Sequence, residues 1–247
     1  MTPRPRSTAP APAETPAAAV LDNPAWAALT GPHAPLAERY GRAARYPRDT
    51  APFAALADPE DPRSWADLAA LAGPGARVTL TGRPVPPPDW ELLGSVEGVQ
   101  LTGEAVRAAP DPEAVPLGPA DVPEIMRLVE LTRPGPFRDR TVELGGYLGI
   151  RSGGRLVALA GGRMRPPGWT EISAVCTHPD HRGRGLARRL VRAVAAVARE
   201  RGEVPFLHAA AENTGAVRLY EELGFALRAR PVFMAVRTPG PALPDPS

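Results

Sequence analysis

Residues His178–Leu190, HPDHRGRGLARRL, place two glycines in a run of arginines where a helix begins. Glycines at a helix N-terminus leave backbone N–H groups uncovered, and the helix dipole favours an anion there. Apolar side chains then recur at helical spacing, at Leu186, Leu190, Val194 and Val197. The stretch therefore predicts an amphipathic helix that follows either a simple flexible turn or an anion-binding loop.

The sequence before this loop predicts a strand, a helix and three antiparallel strands. AVPLG is a candidate strand, and PADVPEIMRLVELT predicts an amphipathic helix with Val122, Ile125, Leu128 and Val129 on one face. GGYLGIR and RLVALAGGRMR predict a hairpin that turns at Ser152, Gly153 and Gly154. TEISAVCT is a further strand and leads directly into the loop.

Three more elements are predicted after the helix. PFLHAA is a candidate strand, and NTGAVRLYEELG predicts a short helix capped by Asn213 and ended by Gly224. FALRARPVFMAVR predicts a closing strand or hairpin. We therefore expect an ordered lobe over residues 111–237, with tails over residues 1–20 (rich in alanine and proline, predicted disordered) and 238–247 (rich in proline).

Residues 21–110 predict a smaller N-terminal α/β lobe. Its helix and strands suggest a degenerate copy of the lobe over residues 111–237. SWADLAALAG predicts a helix that Ser64 caps and Gly73 ends. RVTLTG, WELLGSV and GVQLTG predict three short strands, with the proline-rich PVPPPDW between the first two. This lobe carries little recognisable chemistry.

Composition excludes several classes of function. The chain has 247 residues and a net charge of +2, from 29 basic and 27 acidic residues, and every basic residue is arginine. No basic tract is interleaved with aromatic residues, so nucleic-acid binding is not expected. No apolar run is long enough to span a bilayer, so no membrane association is expected. The single cysteine, Cys176, excludes an intramolecular disulfide framework and favours a reducing cytoplasm.

Three other interpretations of the glycine loop fail. A Walker phosphate loop needs a lysine, which this chain lacks. A dinucleotide fingerprint needs a third glycine or alanine where Arg188 stands, and its ribose-binding acid should not precede the next strand, as Glu203 does. His178 and His181 supply too few ligands for a zinc site, so no metal is expected.

The motif Arg182-Gly-Arg-Gly185-Leu-Ala187 resembles the Q/R-x-x-G-x-G/A motif of the GNAT superfamily of N-acetyltransferases. It follows EISAVCTHP and precedes AAAENTGAVRLYEELGF, which resembles the second half of that family. The resemblance covers about residues 113–237. It implies a mixed, mostly antiparallel central sheet flanked by helices, preceded here by the smaller N-terminal α/β lobe.

The resemblance also implies an acetyl-CoA site. In the family, the strand before the loop bulges and splays from its neighbour, and the pantetheine arm lies along it. Carried over, the resemblance assigns backbone groups of Val175, Cys176 and Thr177 to pantetheine, and it also assigns Asn213 to the cofactor. The amides of Gly183, Arg184, Gly185, Leu186, Ala187 and Arg188 would hold the pyrophosphate, and Arg182, which begins the motif, is also assigned to the cofactor. Several close N–H donors suit a diphosphate, and side chains at the glycines would hold it off.

For catalysis, the resemblance assigns Tyr220 as the acid that protonates the departing thiolate. A phenol with a pKa near 10 can protonate a thiolate of pKa about 8.5. Two residues are candidates for the base: Glu171, where some relatives carry a catalytic glutamate, and His208, where others do. We favour Glu171 slightly, acting through water.

We therefore expect an acetyl-CoA-dependent N-acetyltransferase in which an amine of a small molecule or peptide attacks directly within a ternary complex. Two alternatives stay open: a non-catalytic acyl-CoA-binding or regulatory module on the same fold, and an acyltransferase that uses a longer acyl-CoA. The sequence identifies neither the acceptor nor the oligomeric state.

Overall fold

A computed structural model describes residues 17–240 of the chain. The helices are α1 (Pro24–Leu29), α2 (Pro62–Ala72), α3 (Val122–Thr132), α4 (Leu186–Glu200) and α5 (Thr214–Glu222). The strands are β1 (Glu38–Tyr40), β2 (Ala43–Arg45), β3 (Ala54–Leu56), β4 (Arg77–Gly82), β5 (Glu91–Thr102), β6 (Ala114–Leu117), β7 (Tyr147–Ser152), β8 (Arg155–Gly162), β9 (Trp169–Thr177), β10 (Val204–Ala210), β11 (Ala226–Ala229) and β12 (Val232–Arg237). The 3-10 turns are Ala18–Asp22, Ala34–Leu36, Pro119–Asp121, Thr141–Glu143 and Pro179–His181. Residues 1–16 and 241–247 of the predicted tails lie outside the described residues, and the described part of the N-terminal tail enters the 3-10 turn Ala18–Asp22, in which Leu21 is buried.

A nine-stranded sheet forms the centre of the molecule, in the order β4-β12-β5-β10-β9-β8-β7-β6, with β11 paired to β5. Only β9 and β10 run parallel; every other pair in this sheet is antiparallel. The fold class predicted from the sequence, a mixed and mostly antiparallel sheet flanked by helices, is confirmed.

The helices pack on this sheet through the apolar faces that their spacing predicts. On α3, Ile125, Leu128 and Val129 are buried, as the sequence predicts. On α4, the predicted Leu186, Leu190 and Val194 are buried in the main core together with Val191, whereas the predicted Val197 is only half-buried. Because α4 contacts β7, β8, β9 and β10, its first turn is fixed relative to the end of β9.

Two local predictions are wrong. Asp61, not Ser64, caps α2, since its carboxylate accepts from the Arg63 N–H; Ser64 lies inside the helix and is fully buried. WELLGSV and GVQLTG are one strand, β5. The strand continues because its first half pairs with β12 and its second half pairs with β10 and β11.

The N-terminal residues share the central sheet with the rest of the chain. Strand β12 lies between β4 and β5, so each half of the sequence contributes strands to one layer. The separate small sheet β1-β2-β3 was not predicted from the sequence. A domain division near residue 110 stays a prediction, as does the idea of a degenerate repeat.

Candidate active site

Strand β9 carries a bulge three residues before its end. Ser173 pairs with Gly161 of β8, and Cys176 pairs with Leu159. Between these two pairs β9 therefore has one residue more than β8. Ala174, inside the bulge, has a φ of +54°, one of two positive values among non-glycine residues of the described chain. A bulge re-aims the backbone of its strand and is frequent beside functional sites.

Beyond the bulge, β9 and β10 separate. Their parallel pairing covers Val204–Leu207 against Trp169–Ile172 and then stops. From His208 to Ala210, β10 pairs only with β5. The edge of β9 from Ser173 to Thr177 therefore faces an open wedge, which leaves room for an extended ligand to lie beside it.

The loop after β9 presents bare backbone donors at the start of α4. Gly183 and Gly185 have φ values of +76° and +72°, and a Cβ built on either would meet no heavy atom within 4 Å. Across the described residues, none of the six N–H groups from Gly183 to Arg188 donates to a protein acceptor. Six free donors at the positive end of a helix form a site suited to an anion such as a diphosphate.

The arginines of this loop are partly held by neighbouring groups. The Nε of Arg182 lies 3.4 Å from the carbonyl of Thr177. Arg184 lies 3.4 Å from the Asp180 carbonyl, and Arg188 forms an ion pair of 2.6 Å with Glu222 on α5. The exposed positions of Arg182 and Arg184 leave their charges available to a ligand on this loop.

Helix α5 brings Asn213 and Tyr220 to the same cleft. Asn213 caps the helix, since its Oδ1 accepts from the Ala216 N–H at 3.2 Å. Tyr220 is mostly buried and packs edge-on against Phe225 at 6.0 Å. Burial raises the pKa of the Tyr220 phenol to about 12, so the phenol is protonated, and able to donate, throughout the neutral range.

Glu171 lies on β9 in a fully buried ion pair. Its two oxygens accept from Nε and Nη2 of Arg163, at 2.9 and 2.6 Å. Burial would raise the pKa of this carboxyl, but Arg163 and a hydrogen bond from His208 outweigh it and hold the pKa well below its usual range. Glu171 is therefore a carboxylate at any neutral pH.

His208 continues this network on β10. Its Nδ1 lies 2.8 Å from Oε1 of Glu171, and its Nε2 lies 3.0 Å from Nε2 of Gln100. Arg228 donates to the Gln100 Oε1 at 2.7 Å, which fixes the amide so that its NH₂ faces His208. The bonding pattern thus assigns the imidazole proton to Nδ1 and leaves the Nε2 lone pair as an acceptor. The His208 side chain is only 2% exposed.

The wedge, the loop and α5 open into one cleft of about 1460 Å³. The predicted site residues that line it are Val175, Cys176, Thr177, Arg182, Gly183, Gly185, Leu186, Ala187, Arg188, His208, Asn213 and Tyr220. Arg184 and Glu171 do not line it. Tyr46, Phe53 and Thr79 contribute to its wall, so the N-terminal lobe helps to enclose the cleft.

Reasoning from the sequence missed three residues of the buried network: Gln100, Arg163 and Arg228. Arg163 follows the GG of β8, and its guanidinium lies 4.7 Å from the centre of the Phe53 ring. None of the three belongs to a motif, and only the pairing of β5 with β10 and β11 brings Gln100 and Arg228 to His208.

A solved structure of a GNAT-family protein from Novosphingobium aromaticivorans is similar to this chain along most of its length. The two are 41% identical, and the match covers 87% of this chain and 97% of the other, with a TM-score of 0.80. The chain belongs to the GNAT family.

Other comparisons agree with this GNAT assignment. Residues 147–234 match the family described as FR47-like protein. The N-alpha-acetyltransferase RimI of Mycobacterium tuberculosis is 41% identical over 83 residues, which are 32% of this chain and 51% of that protein. The match thus spans about half the length of this curated relative. A GCN5-related N-acetyltransferase from Kribbella flavida, 18% identical with a TM-score of 0.55 over 85% of this chain and 91% of its own, shares the fold.

No group of three or more His, Cys, Asp or Glu side chains within residues 17–240 is placed to hold a metal ion. None of the helices described here combines the length and hydropathy needed to cross a bilayer.

Proposed function

We propose that this GNAT protein transfers the acetyl group of acetyl-CoA to an amine by direct attack within a ternary complex. The observation that carries this proposal is the set of six free N–H groups from Gly183 to Arg188 at the base of the β9–β10 wedge. An anion site that opens directly onto an unpaired strand edge suits a ligand with a diphosphate at one end and an amide-containing arm at the other.

The cleft has residues to hold each part of acetyl-CoA. The amides of the glycine loop would hold the pyrophosphate, and the open space over Gly183 and Gly185 lets it approach. Backbone groups of Val175–Thr177, on the unpaired edge of β9, would hydrogen-bond the amides of the pantetheine arm. Asn213 lines the same cleft and would add a polar contact from α5. Bound there, acetyl-CoA supplies an activated acyl group, which the amine attacks.

Tyr220 would act as the general acid. Its phenol lines the cleft and holds its proton at neutral pH, although burial raises its pKa to about 12 and so makes it a weaker acid than a solvated phenol. A proton held at this oxygen can be given to a thiolate as that group departs. Ala216 and Leu219 of the same helix also line the cleft but carry no hydrogen-bond donor, whereas Tyr220 does.

For the base, the geometry supports His208 over Glu171, which reverses the preference drawn from the sequence. Both oxygens of Glu171 are bound by Arg163, and its low pKa makes it a weak base. The Nε2 lone pair of His208 would take the amine proton, while Glu171 would hold Nδ1–H and stabilise the imidazolium. Gln100 donates to that lone pair, so this hydrogen bond, and the Arg228 contact that fixes the amide, must break before Nε2 takes the proton.

We also propose that the protein works in a reducing compartment, where its single cysteine, Cys176, stays a free thiol. Cys176, the free cysteine of the chain, is buried on β9, and burial raises the pKa of its thiol. It is thus poorly suited to act as a nucleophile, which supports direct transfer over an acyl-enzyme.

Release of CoA thiol from acetyl-CoA, measured against a panel of amines, tests the proposal. We expect thiol release that depends on both the enzyme and the amine. Binding of CoA without release for any amine would instead indicate a non-catalytic CoA-binding module. Faster release from a longer acyl-CoA would change the donor while leaving the chemistry intact.

A further inference from the structure

Four arginines without an acidic partner line the part of the cleft that lies between the N-terminal lobe and the loop after α3. They are Arg48, Arg77, Arg133 and Arg138. None of them forms an ion pair with any residue that the structure describes. Arg48 donates only to the backbone carbonyl of Ala72, at 2.9 Å.

The cleft has no acidic side chain to balance these charges. Among the described residues that line it, there is neither an aspartate nor a glutamate. Two acids near this part of the cleft pair with other arginines: Glu38 pairs with Arg45, and Asp49 pairs with Arg140. A cleft lined by one sign of charge concentrates ligands of the opposite sign and repels ligands of its own.

The two walls that carry these arginines are joined by hydrogen bonds. The Thr141 hydroxyl donates to the Thr50 carbonyl at 2.6 Å and accepts from the Arg138 N–H at 2.7 Å. The Arg140 N–H donates to the Asp49 carbonyl at 3.0 Å. The loop after α3 is therefore anchored to the N-terminal lobe, so the backbones of the two walls are held together.

From this arrangement we infer that the acceptor is an amine that also carries a side-chain carboxylate, such as an acidic α-amino acid or a peptide with an acidic N-terminus. Arginine binds a carboxylate through paired hydrogen bonds, so the same side chains that attract such a molecule would orient its amine. Polyamines and other polycationic amines are disfavoured by like-charge repulsion. This inference rests on the proposed acyl transfer and specifies its acceptor.

Matched acceptors test the inference: free glutamate, glutamine and lysine, and peptides that differ only in having glutamate, glutamine or lysine first. We expect kcat/KM to favour glutamate over glutamine by about tenfold or more, the effect of one hydrogen-bonded charge, with lysine lowest. Added salt should reduce the preference because it screens exposed charges. The free and peptide series separate an amino-acid acceptor from a protein acceptor. Equal rates with glutamate and glutamine, or a preference for lysine, would overturn the inference and leave the acyl transfer intact.

Arginine variants link the preference to the cleft. In Arg133→Gln and Arg138→Gln, the preference for glutamate should fall by about tenfold, with the Kd for CoA unchanged. Arg155→Gln is the matched control, because Arg155 is exposed at the hairpin turn and lies outside the cleft. A weaker affinity for CoA with an unchanged preference would assign these arginines to the CoA phosphates and overturn the inference.

Measuring the binding of glutamate and glutamine tests the acidic ligand independently of the proposed acyl transfer. If no amine releases thiol, the proposed function fails, but calorimetry on the complex with CoA still compares glutamate with glutamine. Tighter binding of glutamate, lost in Arg133→Gln and kept in Arg155→Gln, would support an acidic ligand. Equal binding would overturn it.

Discussion

Replacing Gly185 with glutamate should remove CoA binding without unfolding the protein. Gly185 has a φ of +72° and caps α4, and a Cβ there enters open space. A carboxylate about 4 Å from one phosphate charge, at an effective dielectric constant of about 20, costs about 4 kcal/mol. That cost corresponds to an increase of about three orders of magnitude in the Kd for CoA.

Gly202→Glu is the matched control for this variant. Gly202 also has a φ of +72°, is exposed, and offers a Cβ open space, but it lies just beyond the C-terminal end of α4. Both variants should lose roughly 1–2 kcal/mol of stability from the left-handed backbone. The helix dipole favours the new charge at Gly185 and disfavours it at Gly202, so the control should be slightly less stable.

Thermal melts and calorimetry with CoA measure these two effects. CoA at a hundred times its Kd should stabilise wild type and Gly202→Glu by about 2.7 kcal/mol, and should leave the melt of Gly185→Glu unmoved. A folded Gly185→Glu variant that binds CoA as tightly as Gly202→Glu would refute the assignment of the loop to the pyrophosphate. A melt that shifts with NAD and ignores CoA would revive a dinucleotide site.

Further predictions concern the acid and the buried network. Tyr220→Phe should lower kcat by about 10²-fold with little change in CoA affinity; an unchanged kcat would leave Tyr220 with a packing role alone. His208→Gln should lower kcat by about 10²-fold with little change in CoA affinity, and an unchanged kcat in that variant would leave His208 with a structural role alone. Glu171→Gln should cost about 3–5 kcal/mol of stability, because it leaves Arg163 buried without its partner. Since the folded-state pKa of Glu171 is depressed, its contribution to stability is complete above the ordinary value of 4.5 and is lost as pH falls below it. Chemical denaturation between neutral and acid pH should then show a shallower loss in Glu171→Gln than in wild type, and parallel curves would contradict the depressed pKa.

The sequence predicted the elements of the second lobe well because their signals are local. The apolar spacing of α3 and α4 and the hairpin turn at Gly153 and Gly154 all lie within short windows. The predicted cap of α2 is wrong because two residues that can cap a helix, Asp61 and Ser64, lie three positions apart and the sequence does not distinguish them. The sequence predicted two strands where the structure has one, β5. Its glycines weaken a strand locally, but pairing with β10 and β12, which are distant in the chain, keeps it continuous.

The residues of the site also divide into those with a local signal in the sequence and those without one. Its loop residues are consecutive, so a motif could locate them, whereas the network around His208 depends on pairs far apart in the chain. Gln100 and His208 are separated by 108 positions. Burial of Glu171 against Arg163 follows from the packing of β8 on β9 and of Phe53 over the guanidinium. No local pattern carries that information, so the sequence favoured Glu171 as the base, where the geometry supports His208.

The proposed acyl transfer is tested most directly by following the acetyl group itself. Acetyl-CoA with a labelled acetyl group is incubated with the protein and an amine, and mass spectrometry locates the label while free thiol is counted. We predict one labelled amide for each thiol released, with no label on the protein at any time. Thiol released without amide, or label on Cys176, would contradict direct transfer to an amine.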